Sequence, residues 1–387
     1  MKNKALFTIF LIVFIDLLGF GILLPLLPFI AEKYAANPLE IGFLTAAYSL
    51  FQFIATPILG RLSDRYGRKK ILVISQLGSV VGYLLLGWAN SLPIIFLSRI
   101  IDGATGGNIS VAQAYIADVT TKENRAKGMG LIGAAFGLGF IVGPALGGFL
   151  ARFGFVVPAY VAAGVGLVTV LATTFFLKET VNVVHAARSP RTKLSCSEVY
   201  RVLRTKPIGL LIFTFFVLNT AFSVMQGNFA LWTQAAFRFG AQENAWLFTG
   251  MGIMSVGMQL RVLPWVIRRV KEAMALKLAI FVLAAGFLLL PFAVLPVWVL
   301  GALLFFSFGQ GLSMPTIQAI ASERVPKEEY GETLGILQSA GSLGRIVGPI
   351  AGGELFYQFG HNIPFFAAGF LVLVMGGVVW AKLDNAR

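Results

Sequence analysis

The chain has 387 residues, of which 57% are hydrophobic and only 12% charged, and its mean hydropathy is +0.81. A water-soluble globular protein carries about a quarter charged residues, so that class is excluded. The 31 Lys+Arg outweigh 17 Asp+Glu to give a net charge of +14, but the basic residues stand between hydrophobic runs instead of along one polar face, which argues against nucleic-acid binding.

Runs of about 20 apolar residues cover roughly 30 Å as helices, the depth of a hydrocarbon core. Lipid offers no hydrogen bonds, so such runs satisfy their own backbone groups as helices. The short alternating segments of a membrane β-barrel are absent. The first span, residues 5–31, follows Lys2 and Lys4 as a signal peptide would. It is too long for one, contains Asp16 and lacks a small-residue cleavage site, and reads as a retained helix. Spans at 40–61, 71–90, 93–117, 127–151 and 155–177 complete a first group of six. The polar stretch 178–206, with Arg188, Pro190, Arg191 and Lys193, reads as a linker. Six further spans follow at 207–236, 242–264, 274–291, 293–317, 331–356 and 361–381. The expected fold is an all-α membrane protein of twelve transmembrane helices, with six-helix bundles at 1–177 and 207–387 joined by a cytoplasmic linker at 178–206.

An even number of spans puts both termini on one face. If that face is cytoplasmic, it carries 26 of the 31 Lys/Arg, while the other face carries only Lys33, Arg152 and Arg238, and Arg99 and Arg345 lie inside spans. The positive-inside rule therefore sets both termini in the cytoplasm. The halves also repeat. Asp118–Leu150 lies over Glu323–Leu355 at a constant offset of 205, which matches Ile141-Val142-Gly143-Pro144 to Ile346-Val347-Gly348-Pro349 and Lys122-Glu123 to Lys327-Glu328. Spacing kept over that length indicates duplication.

Polar residues inside spans are the candidate functional groups. A charge exposed to lipid at mid-depth costs at least ~2.5–3.5 kcal/mol, so Asp16 must face protein or water. On the fourth span Arg99, Asp102, Ser110 and Gln113 share one helical face at 100° per residue. Asn219, Ser223 and Gln226 align on the seventh, and Ser307, Gln310 and Gln318 on the tenth. Tyr48 and Gln52 sit one turn apart on the second. Arg345 has no acid nearby in its own span and looks to Asp16 or Asp102. Two readings stay open: a static Arg99–Asp102 pair with Arg345 snorkelling, or a proton-titrated carboxylate whose pairing changes during a cycle. Gly143-Pro144 and Gly348-Pro349 sit inside long helices, where glycine allows close packing and proline kinks the chain. A hinge at these points is the functional alternative to packing alone.

Residues 60–70 read Gly-Arg-Leu-Ser-Asp-Arg-Tyr-Gly-Arg-Lys-Lys between the second and third spans. This resembles motif A of the major facilitator superfamily. Asp16-x-x-Gly19-x-Gly21 with Pro25 and Pro28, Arg99 followed by Gly103, and the series Gly133, Gly137, Gly139, Gly143-Pro144 and Gly147-Gly148 are similar to the twelve-span drug:proton antiporters. With Ile116-Ala117-Asp118, the first half is closest to the tetracycline-exporter-like subgroup. The resemblance implies that spans one, four, seven and ten line a central cavity. It also implies that Gly60, Asp64, Arg65, Gly67, Arg68 and Asp118 brace the closed cytoplasmic side, with Asp64 at the start of span eleven. Their simpler role is as insertion signals. Arg268 stands where the second half would carry the counterpart of Asp64, so the gate is expected to be asymmetric. Tetracycline exporters carry further acids in spans three and nine, where this chain has Gly82-Tyr83 and no acid.

The expected function is proton-coupled efflux of amphipathic organic compounds by alternating access. Asp16, Arg99, Asp102 and Arg345 would form the charge network, and Tyr48, Gln52, Gln113, Asn219, Ser223, Gln226 and Gln310 the substrate lining. The alternatives are transport of a sugar or other metabolite, coupled or passive, and, more remotely, a membrane receptor or enzyme, which would need a catalytic cluster that is not visible. The lone Cys196 allows no internal disulfide, His185 and His361 lack metal-ligand company, and no Walker loop suggests ATP. The expected partners are therefore the lipid bilayer, a small-molecule substrate and protons, with no cofactor and no nucleic acid. The chain is expected to act as a monomer in the cell's inner (plasma) membrane.

Overall fold

A computed structural model describes residues 2–120, 125–180, 196–205, 207–325 and 330–383. Most of the linker expected at 178–206, with the basic cluster from Arg188 to Lys193, lies outside them, as do the repeated Lys-Glu pairs. The described residues form helices and no strands. Among them, nine helical runs are long and apolar enough to cross a bilayer, one of them the 52-residue run Ala241–Phe292 that holds two of the expected spans.

In the first half the helices are α1 (Lys2–Leu23), a short α2 (Leu27–Glu32), α3 (Pro38–Tyr66), α4 (Arg68–Trp88), α5 (Leu92–Thr105), α6 (Asn108–Val119), α7 (Arg125–Ala151) and α8 (Val156–Phe176). Two of the expected spans are interrupted. The first turns at Leu24–Leu26, around Pro25, before α2. The fourth stops at Gly106-Gly107 and restarts as α6. Consecutive glycines supply no side chain to protect the helical hydrogen bonds, and glycine loses the most freedom on entering a helix. The face shared by Arg99, Asp102, Ser110 and Gln113 is therefore not one continuous stripe.

After the short α9 (Cys196–Arg204), the second half holds α10 (Ile208–Phe237), α11 (Ala241–Gly257), a π-helical turn (Met258–Val262), α12 (Leu263–Leu289), α13 (Pro296–Glu323), α14 (Tyr330–Phe359) and α15 (Ile363–Lys382). The loop expected near 264–274 is reduced to one non-helical residue, Lys271, at φ 61° and ψ 166° inside α12. Gly67, which occupies the corresponding turn in the first half, has φ 110° and ψ 141°. The turn survives in the second half although its glycine does not.

The residues group into two compact units. The first comprises Met1–Ala36, Ala47–Arg191 and Phe239–Gly250, and the second Asn37–Ala46, Thr192–Arg238 and Met251–Arg387. In the first, α1 packs along α7, and α4 against α5 and α8. Its core joins Ile9, Ile12 and Val13 of α1 to Ile71 and Leu72 of α4 and to Val111, Tyr115 and Ile116 of α6. A Cβ on Gly143 would come within 2.7 Å of the Cα of Gly21, and one on Gly139 within 2.8 Å of Leu17 Cβ. Backbones meet there because side chains are missing.

In the second unit α10 packs along α14, and α12 against α13 and α15. The seam again runs along glycines. A Cβ on Gly344 would lie 2.8 Å from the Thr220 nitrogen, and one on Gly348 2.8 Å from Ser223 Cβ. Pro349 lies one residue beyond this contact, inside α14. The polar side chains of α10 bond back onto their own helix: Thr214 to the Leu210 carbonyl, Asn219 to Phe215, Thr220 to Phe216 and Asn228 to Val224. Large apolar side chains such as Phe175 (75% exposed) and Val294 (78%) point outward. Exposure on that scale would be a liability in water and is ordinary against lipid.

Candidate functional site

The break in the fourth span organises the intramembrane charges of the first unit. Upstream, α5 presents Ser98, Arg99 and Asp102, all buried. Arg99 Nη1 lies 3.2 Å from Asp102 Oδ2, three residues on. Arg99 Nη2 donates to Ser98 Oγ at 3.2 Å, and Ser98 Oγ in turn donates to the Gly82 carbonyl at 2.9 Å. Ser79 hydrogen-bonds the Asp102 carboxylate. Gly82 permits this packing, because a Cβ there would sit 3.0 Å from Asp102 Cβ. Two buried opposite charges are tolerated when paired, whereas removing one strands the other.

Downstream of the break, Asn108 opens α6. Its amide nitrogen donates to both carboxylate oxygens of Asp16, at 3.0 and 2.9 Å. Asp16 is thus held by a neutral amide at the start of a half-helix. The break is also tied to α3: Gln52 Nε2 donates to the Gly106 carbonyl at 2.9 Å and to the Tyr48 hydroxyl at 3.0 Å. Unwound backbone at membrane depth needs such protein partners. The buried Tyr83 stands within electrostatic reach of both Asp16 and Asp102. Gln113, farther along α6, is exposed.

In the second unit, Asn219 donates to the Phe215 carbonyl and approaches Met314 Sδ at 3.5 Å. Ser223 is buried beside Gly348. Ser223 Oγ and Gln310 Oε1 are both buried without a hydrogen-bond partner among the described residues. Gln226 is half-buried on α10. Arg345 Nη2 donates to Ser342 Oγ at 2.7 Å on its own helix.

At one end of the first unit, motif A closes into a network. Arg68 pairs with Asp64 four residues back, donates from Nε to Asp118 Oδ2 at 3.1 Å and from Nη1 to Ser63 Oγ at 2.7 Å. Glu179, just past α8, accepts the backbone N–H of Arg68 at 2.8 Å and of Lys69 at 3.2 Å, capping α4. The Thr180 hydroxyl donates to Asp118 Oδ2 at 3.0 Å. Gly67 is required twice over: its φ of 110° suits glycine, and a Cβ would lie 2.6 Å from Glu179 Cδ. Gly60 instead lies inside α3 with nothing within 4 Å of its Cβ position, and Arg65 is exposed against the ring of Tyr66.

Sequence reasoning did not single out Asn108, Ser63, Glu179 or Thr180. The Gly106-Gly107 pair was the available sign for Asn108, since an Asn after two glycines suits a helix start. The caps and hydroxyls carry no comparable mark.

The model of the Major Facilitator Superfamily matches residues 9–349 and 308–387. Tetracycline resistance protein, class B, of Escherichia coli is 30% identical over 94% of this chain and 90% of its own length. Multidrug resistance protein 2 of Bacillus subtilis is 30% identical over 99% of this chain and 97% of its own. The crystal structure of the nucleoside transporter NupG superposes with a TM-score of 0.80 at 14% identity, over 99% of this chain and 100% of that one. A match of this extent, on a helical membrane fold with an intact motif A network, makes this multi-pass transporter a member of the Major Facilitator Superfamily.

Proposed function

We propose that the chain is a proton-coupled exporter of amphipathic organic compounds, working by alternating access as a monomer in the inner membrane with both termini cytoplasmic. The bundles at 1–177 and 207–387 would be its moving parts and 178–206 their linker. One observation carries the coupling: Asp102 has its charge matched by Arg99, whereas the partner of Asp16 is the neutral Asn108. A proton can neutralise Asp16 without stranding a buried cation, which makes it the natural carrier. Export, as opposed to uptake, is supported by the likeness to tetracycline and multidrug resistance proteins.

The test uses everted vesicles containing the full chain, with ethidium and tetracycline as probes and an imposed pH gradient. The proposal expects an acid lumen to drive probe accumulation, probe entry to alkalinise the lumen, and Asp16→Asn to stop both. Gradient-driven accumulation that survives Asp16→Asn would remove the proton role. Acidification of the lumen on probe entry would make the chain a symporter.

A further inference from the structure

We infer that α6 is the mechanical link between the proton site and the cytoplasmic charge latch, with Asn108 as the positioning residue at its upper end. This inference rests on the reading of Asp16 as proton carrier.

Both ends of α6 are tied to charged groups by side-chain bonds. Its first residue, Asn108, holds Asp16 of α1. Its penultimate residue, Asp118, holds Arg68 of α4 at 3.1 Å and accepts the Thr180 hydroxyl at 3.0 Å. Between them runs an unbroken helix of 12 residues, about 18 Å long at 1.5 Å per residue. Its buried face, Val111, Ala112, Tyr115 and Ile116, seats it against α1 and α4. Its connection to α5 is the non-helical Gly106-Gly107 joint, whose carbonyl Gln52 fixes to α3. The rod is therefore stiff along its length, with its one non-helical joint where it begins.

Asn108 converts a proton into a displacement. With Asp16 ionised, one amide nitrogen serves both oxygens. A protonated Asp16 has a donor of its own, and Asn108 Oδ1, which is buried with no partner, is the acceptor at hand. Meeting that donor requires the amide to turn, which reseats the start of α6 and moves Asp118 relative to Arg68. The ionisable groups facing Asp16 are Asp102 of α5 and Tyr83 of α4, with Tyr48 of α3 and Arg99 of α5 around Tyr83. Between Gly128 and Ala151 α7 has none, and α8 has only Tyr160. Around the lower end stand Asp64, Arg68, Asp118 and Glu179.

The experiment places spin labels at Tyr66→Cys and Thr120→Cys in full-length Cys196→Ser protein in vesicles. Distance distributions are recorded at acidic and alkaline pH, together with the infrared carboxyl band that Asp16→Asn removes. The expected result is a pH-dependent distance that Asp16→Asn fixes at its acidic value. Asn108→Leu should abolish the pH dependence while leaving the Asp16 band to titrate. A Gln113→Gly/Ala114→Gly pair, which keeps both end contacts and softens the rod, should do the same and covers the case in which Asn108→Leu folds poorly. A titrating band with a distance that ignores pH, or a pH response that persists in Asn108→Leu and in the glycine pair, overturns the link. A band that never titrates overturns the carrier reading beneath it.

Discussion

Replacing Gly67 by alanine tests whether motif A is a capped turn. The substitution forces an L-residue to φ 110°, a strain of about 1–3 kcal/mol. It also drives a methyl into the Glu179 carboxylate, which must leave the N–H groups of Arg68 and Lys69. Losing an N-terminal cap costs about 0.5–2 kcal/mol, so Gly67→Ala should destabilise by roughly 1.5–5 kcal/mol. Glu179→Ala alone should lose only the cap. In the double variant the cap is lost once, not twice, so its cost should fall short of the sum of the single costs by about 0.5–2 kcal/mol. Reversible unfolding in mixed micelles of all four proteins measures this cycle. Additivity within about 0.5 kcal/mol would refute the idea that Gly67 exists to admit Glu179.

The same assay reaches three other features. Gly143→Ala, against the backbone of Gly21, should cost about 1–3 kcal/mol, whereas Gly133→Ala, with open space around its Cβ position, should be neutral or stabilising by up to about 1 kcal/mol. Lys271→Gly should stabilise by about 1 kcal/mol, since φ 61° with ψ 166° is a conformation essentially reserved for glycine. Arg99→Met should cost about 3–5 kcal/mol by stranding Asp102, and Arg99→Met/Asp102→Leu should recover most of that loss.

The features legible in the sequence are those written locally or in composition. Apolar runs of bilayer length mark the spans, and Asp64 with Arg68 is a pair only four residues apart, joined across the short turn at Gly67. The break at Gly106-Gly107 was hidden because apolar residues continue on both sides, so the periodicity that aligned Ser110 and Gln113 with Asp102 ran through a joint. Asn108 meets Asp16 across 92 positions and Glu179 meets Arg68 across 111, and neither contact leaves a trace in local spacing. The eighth and ninth spans likewise looked separated by a loop, because charged residues usually mark one. The separation is a single non-helical residue, Lys271, with helical turns running through Arg268 and Arg269 up to it.

The seam between α10 and α14 has a consequence for motion. Thr214, Asn219, Thr220 and Asn228 each bond to the preceding turn, which leaves the buried Ser223 hydroxyl beside Gly348 as an unmet polar group at the seam. Sliding one helix over the other exchanges van der Waals contacts and breaks none of those four bonds. Register along this seam is therefore set by where the glycines fall, not by hydrogen bonds of these four side chains.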